Sequence, residues 1–253
     1  MRLFPCIVSH GTVSQRKKLP SAVGRRTTPA MKQLLIMWVV TMMNVLSPAE
    51  KMALVKTYPE ATETVEERKA RYVEMAEAIV DVVWDEDEKP IFGGKTGRAN
   101  TAALIVGVSW MESGLRRDVV RGIGAHARGE GIDRCAMQIR VGKNQVTAEG
   151  WTGEEIEKDL RKCYRAGLHL MRASYHTCRK LPLEHRLAAY ATGACITEIG
   201  WKKSEQRVKA ARKAFSAANA IWSAPVKTDS KPSDIPTVRE PVPARVATIG
   251  ESQ

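Results

Sequence analysis

Between residues 62 and 84 apolar side chains return at helical intervals, at Val65, Tyr72, Val73, Met75, Ala76, Ile79, Val80 and Val83, with Glu and Arg between them. That period predicts an amphipathic helix with one buried face. A glycine-rich stretch, residues 90–97, ends it, and Asn100 is placed to cap a second helix that runs to Glu112. The second helix is of another kind. From Thr101 to Met111 it is apolar on almost every face, so it belongs inside the domain. Gly122, Gly124, Gly129 and Gly131 mark a long loop, and a short segment at 137–141 follows. Gly153 precedes a strong helix over 154–175, and Pro182 breaks the chain before a short helix over 184–191. A last helix, 204–222, alternates Lys and Arg with Val208, Ala211, Phe215 and Ile221. No strand pattern of any length competes. The predicted fold class is mainly α, a single helical domain over 48–222 with at most a short hairpin between Glu112 and Gln138.

The two ends of the chain read differently. Residues 223–253 hold five prolines, few large apolar groups and no periodicity, which predicts a disordered tail or linker. Residues 1–47 form a leader in which 34–46 admits two readings. An apolar run of that length after basic residues, followed by Ser47-Pro48-Ala49, has the form of a signal sequence, with Met31 as a further candidate start. Ser47-Pro48-Ala49-Glu50 is also a helix capping box with Pro at the first helical position, and 34–46 is then a buried helix. Thirteen apolar residues are too few to span a bilayer comfortably, so no transmembrane anchor is expected.

Charge separates along the chain. Residues 63–89 hold ten acids against four bases, and residues 90–222 hold twenty-three bases against twelve acids. A basic segment that also carries the candidate chemistry predicts an anionic partner: DNA, an acidic membrane surface or an anionic cell-wall polymer. The chain has no zinc-finger spacing, phosphate loop or interleaved aromatic set, and aromatics are only 6% of it, so nucleic acid is not expected. The cysteine and histidine spacing is no metal motif, and no metal or cofactor is implied. His126, His169, His176 and His185 read as solvated or packed groups.

Glu112 stands at the C-terminal end of the buried helix. Low-dielectric walls and a helix C-terminus both favour the neutral form of a carboxyl, the form suited to protonating a leaving-group oxygen. A bland alternative is that Glu112 marks where the helix meets water.

Three blocks then bear on that choice. Glu112-Ser113-Gly114, Ala136-Met137-Gln138-Ile139 and Ala189-Tyr190-Ala191-Thr192-Gly193 follow one another, with Gln138 twenty-six positions after Glu112 and Tyr190 fifty-two positions after Gln138. In type, order and interval they resemble the Glu-Ser, Gly-Leu-Met-Gln-Ile and Ala-Tyr-Asn-x-Gly blocks of the soluble lytic transglycosylases, relatives of goose-type lysozyme, over residues 99–195. Ala136 stands where a Gly is usual, and Ala191 replaces the familiar Asn. The resemblance implies a lysozyme-like helical domain with a long loop or short hairpin between the Glu helix and the Gln segment. It implies cleavage of the β-1,4 bond between N-acetylmuramic acid and N-acetylglucosamine in peptidoglycan glycan strands by Glu112 alone as acid and base. Tyr190 would orient Glu112 through its hydroxyl, and Ser113, Met137, Gln138 and Ala191 would belong to the substrate subsites. Two alternatives stay open. Asp118 or Asp133 would position a water in a goose-type hydrolase, and a noncatalytic binding or assembly protein would keep the fold in a phage particle or a secretion machine. The expected location is extracytoplasmic or virion-associated.

Cys135, Cys163, Cys178 and Cys195 lie in the same region, and Cys6 in the leader. Four cysteines allow three pairings. If 163–178 is one continuous helix, its two cysteines are about 22 Å apart and cannot join. Cys135 or Cys195 would instead be stapled to that helix, unless all four are reduced.

Overall fold

In the computed structural model the described residues are 28–52, 59–124 and 127–223. Most of the predicted tail, residues 224–253, and the first part of the leader with Cys6, residues 1–27, lie outside them, as does His126. The described chain is mainly helical.

Helix α1 spans Pro29–Leu46. Thr28 caps it by accepting from the Met31 amide, and Pro29 supplies the first-turn backbone angle. Ile36, Trp38, Val39, Met42, Met43 and Leu46 are buried. Trp38 packs edge-on against Phe215 and donates its indole N–H to Asn219 Oδ1 at 3.0 Å. Residues 34–46 therefore lie within a helix that packs on the rest of the described chain, and the described helices begin at Pro29, ahead of the 48–222 span expected from the sequence. Among the described residues, α1 alone is long and apolar enough to cross a membrane by length and composition. The short α2, Ala49–Met52, starts one residue beyond Pro48.

Helix α3, Val65–Val83, is held by a capping box in which Thr64 and Glu67 satisfy each other's backbone amides. It buries the predicted stripe, Tyr72, Met75, Ala76, Ile79, Val80 and Val83. Helix α4, Gly97–Ser113, begins one turn earlier than expected, after Thr96, and Asn100 lies inside its first turn with its amide group on Thr96 Oγ1. It is buried without a break from Thr101 to Ser109, packed among α1, α3 and the helices Leu160–Thr177 and Glu198–Ser223. Gly114, at φ 60, ends it in the left-handed region where glycine has no steric penalty.

The long loop contains an unpredicted helix, α5, Arg117–Arg121, and then a hairpin of two-residue strands, β1 (Asp133–Arg134) and β2 (Ile139–Arg140). Asp133 faces Arg140 and Arg134 faces Ile139. The hairpin therefore encloses Gln138 instead of preceding it, and Cys135 to Gln138 form its turn. The helix expected over 154–175 is two helices, α6 (Gly153–Lys158) and α7 (Leu160–Thr177). Asp159 divides them: its extended backbone ends α6, while its carboxylate accepts from the Arg161 and Lys162 amides and starts α7. After Pro182 comes a 3-10 turn, Leu183–His185, and then α8, Ala188–Thr192. Helix α9, Glu198–Ser223, starts six residues before its apolar period does, with Thr197 Oγ1 accepting from the Gly200 amide.

All four cysteines of this region are oxidised. Cys135–Cys163 ties the hairpin turn to α7, and Cys178–Cys195 ties the end of α7 to the segment after α8, with Cα separations of 6.2 and 5.4 Å. Cys163 and Cys178 do not join each other, as helical rise requires.

Part of the charge asymmetry is neutralised within the molecule. Asp81, Asp85 and Glu88, in and after α3, pair with Arg161, Arg165 and Arg172 along α7.

Candidate functional site

Glu112 is the penultimate residue of α4, and its side chain keeps 19% of its exposure. The sequence predicts apolar walls around it. The structure adds a guanidinium. Arg207 of α9, whose side chain is only 6% exposed, donates from Nε to Glu112 Oε1 at 2.9 Å and from Nη2 to the same oxygen. Glu112 Oε2 has no hydrogen-bond partner among the described residues. Arg207 Nη1 is buried and also lacks one.

Close helix packing brings these two residues together. A Cβ added at Gly107 of α4 would stand 2.7 Å from the Ala211 nitrogen and 2.9 Å from the Arg207 carbonyl oxygen, both backbone atoms of α9. Only the missing side chain lets α9 lie this close to α4.

Tyr190 of α8 is also beside Arg207, whose guanidinium carbon is 5.9 Å from the phenol centroid, within cation–π range. Its hydroxyl does not bond to Glu112. It donates to the Met137 carbonyl at 2.6 Å, across a sequence separation of 53. Burial pushes the phenol well above its ordinary value of 10, the Glu112 carboxylate pushes the same way, and Arg207 opposes both. The hydrogen bonds to Glu112 thus come from Arg207, while the Tyr190 hydroxyl secures the hairpin turn.

Met137 is fully buried and meets the site through its carbonyl. Its sulfur accepts from the Ser109 hydroxyl at 3.1 Å, and its side chain lies over Gly167 of α7, where a Cβ would come within 2.7 Å of Cε. Gln138 adopts φ 46 at the end of the turn and folds back, its amide donating to the Cys135 carbonyl at 3.0 Å. Ser113 faces the core: its hydroxyl donates to the Ser109 carbonyl at 2.6 Å and accepts from the Leu115 amide at 3.2 Å. It closes the end of α4 and is 3% exposed. Ala191 is half-exposed on α8, with only a methyl group where an amide side chain would reach outward.

The two aspartates weighed for a water-positioning role have different settings. Asp118 is 1% exposed, and both of its oxygens accept from Arg116. Asp133 lies on β1 with Arg140 Nε at 3.5 Å, close enough to Tyr190 to raise its phenol slightly.

Of the histidines among the described residues, His169 and His185 meet carboxylates and His176 faces solvent. His169 meets Glu149 through Nδ1 at 2.5 Å and Glu88 through Nε2 at 3.0 Å. His185 stacks on Trp201 and meets Glu205 at 2.6 Å, and His176 is exposed. Among the described residues no group of three or more His, Cys, Asp or Glu side chains is arranged to hold a metal ion. A pocket of about 250 Å³ lined by Phe92, Leu104, Tyr175, Val208 and Phe215 lies between α4, α7 and α9 and does not include Glu112.

Arg207 is the site residue that sequence reasoning missed. It falls on the buried stripe of α9 with Gly200, Ser204, Val208, Ala211, Ala214 and Ala218. A lone arginine at such a position needs an anionic partner, and that is the one signal in the sequence by which the pairing with Glu112 could be found. No protein-family model, no curated protein and no solved structure matches the chain, and the chemistry of the site stands on its own residues.

Proposed function

We propose that this chain is a peptidoglycan lytic transglycosylase built on a lysozyme-like helical domain. One observation carries the reading: Glu112, the Met137–Gln138 turn and Tyr190, remote in sequence, meet at one place through Arg207 and the Tyr190 hydroxyl. A convergence of this kind is unexpected if Glu112 merely marks a helix end.

In this reading Glu112 donates a proton to the glycosidic oxygen between N-acetylmuramic acid and N-acetylglucosamine. The substrate's own N-acetyl oxygen stabilises the developing cation, and Glu112, now a carboxylate, takes the proton of the muramoyl 6-hydroxyl as it closes the 1,6-anhydro ring. One carboxyl serves as acid and then base, so the paired-carboxylate spacing of ordinary glycosidases is not required. The substrate is the glycan strand, and the protein acts outside the cytoplasm or as part of a phage particle.

The position of Asp133 on the hairpin, in electrostatic reach of Tyr190, favours one second reading, a hydrolase in which Asp133 holds the attacking water. Digestion of purified sacculi by the wild type and by Glu112→Gln tests the proposal. Release of soluble glycan by the wild type alone supports it, and equal inactivity of two folded proteins contradicts it.

A further inference from the structure

We propose that Arg207 is a positioning residue that assigns different work to the two oxygens of Glu112: Oε1 is held, and Oε2 exchanges the proton with the substrate. The inference rests on the transglycosylase reading and names a residue that this reading does not require.

The geometry carries it. Two donors of one guanidinium, Nε and Nη2, converge on Oε1, while Oε2 has no partner among the described residues. A carboxyl held at one oxygen by a planar fork cannot turn freely, and its second oxygen keeps a fixed direction. The guanidinium is itself confined. Its own backbone is pressed against Gly107, and the Tyr190 ring lies 5.9 Å from its central carbon. Since the Tyr190 hydroxyl holds the Met137 carbonyl, the hairpin turn, the phenol, the guanidinium and the carboxyl form one connected chain of contacts. A shift of the turn is therefore felt at Glu112.

Stability alone does not account for an arginine here. Nη1 is buried without an acceptor among the described residues, which is a cost, and an apolar side chain of similar length would fill the same stripe of α9 without that cost. What methionine or leucine could not do is hold Oε1.

The test uses the full-length protein on sacculi, comparing wild type, Arg207→Lys and Arg207→Met by kcat and KM, with thermal unfolding as the check of folding. Lysine keeps the positive charge and loses the fork. The expected result is a fall in kcat of about 10- to 100-fold for Arg207→Lys with KM within about twofold, and a fall at least as large for Arg207→Met. Unchanged kcat in either folded variant overturns the inference while leaving the transglycosylase reading intact. An inactive wild type overturns both. If neither variant folds, a crystal of the wild type with an N-acetylglucosamine oligomer decides: Oε1 on Arg207 with Oε2 directed at a glycosidic oxygen supports the inference, and Arg207 turned away from Glu112 overturns it.

Discussion

Glu112 and Arg207 are 95 positions apart in sequence and form an ion pair in which the arginine is the more deeply buried partner. Removing the carboxylate therefore strands a charge. Glu112→Gln is expected to lose about 1–3 kcal/mol, less than the roughly 3–5 kcal/mol of a fully buried pair because Glu112 retains contact with water. Combining it with Arg207→Met restores most of that loss, since no charge is then left behind. Urea unfolding of the two single variants and the double variant measures the coupling. Strictly additive effects would show that the pair does not act as a unit.

Gly107 governs the approach of α9 to α4. In Gly107→Ala the new methyl group meets the backbone of Ala211 and Arg207 at less than 3 Å, so the helices must separate. The expected cost is about 1–3 kcal/mol, with Arg207 drawn away from Glu112 and activity reduced beyond what the lost stability explains. A crystal structure of the variant with the two helices in place and the ion pair unchanged would refute this role for Gly107.

Tyr190→Phe deletes the hydroxyl that holds the Met137 carbonyl and leaves the ring beside Arg207. The loss in stability is about 1–2 kcal/mol, the value of one well-made hydrogen bond plus the carbonyl left without it. Hydrogen exchange should speed up first at the hairpin turn, because the Cys135–Cys163 disulfide holds one end of the turn and Tyr190 holds the other side. Uniform acceleration across α4 and α9 would argue instead for a general loosening of the core.

Much of the fold is legible in the chain, and the exceptions have physical causes. The stripe of α3 and the all-round apolar character of α4 are set by burial, which periodicity reports directly. The division between α6 and α7 is not, because Asp159 sits in an otherwise helical pattern and acts through a backbone turn and two amides. Thr197 likewise starts α9 through a hydroxyl before any apolar period is present. At the site, Glu112 stands out from the end of an apolar helix, and Tyr190 and Gln138 from the resemblance of their blocks to those of the soluble lytic transglycosylases. Arg207 does not, since a run rich in Lys and Arg hides the single arginine that faces inward. Met137 packs its side chain against Gly167 and Ser109, and Ser113 spends its hydroxyl on the backbone of Ser109 and Leu115.

The acid side of the stability profile has an identifiable source. Burial alone would raise the Glu88 carboxyl, but hydrogen bonds from Arg172 and His169 outweigh it and hold the group below its ordinary 4.5. Burial is likewise outweighed at Glu149, where hydrogen bonds from Thr147 and His169 lower the carboxyl. Groups depressed in the folded state contribute fully above about pH 4.5 and lose that contribution as pH falls through their folded values. Unfolding free energy should decline on acidification below that point, and the decline should be shallower in Glu88→Gln. Parallel profiles for the two proteins would place the acid sensitivity elsewhere.

The most direct test of the central claim is the mass of the glycan ends released from sacculi by the purified wild-type protein, with folded Glu112→Gln as the control. A transglycosylase using Glu112 as acid and base yields muropeptides ending in 1,6-anhydro-N-acetylmuramic acid, each one water lighter than the corresponding reducing end, and Glu112→Gln yields none. Reducing ends alone would contradict the transglycosylase and favour hydrolysis, and release that persists in Glu112→Gln would contradict the role assigned to Glu112.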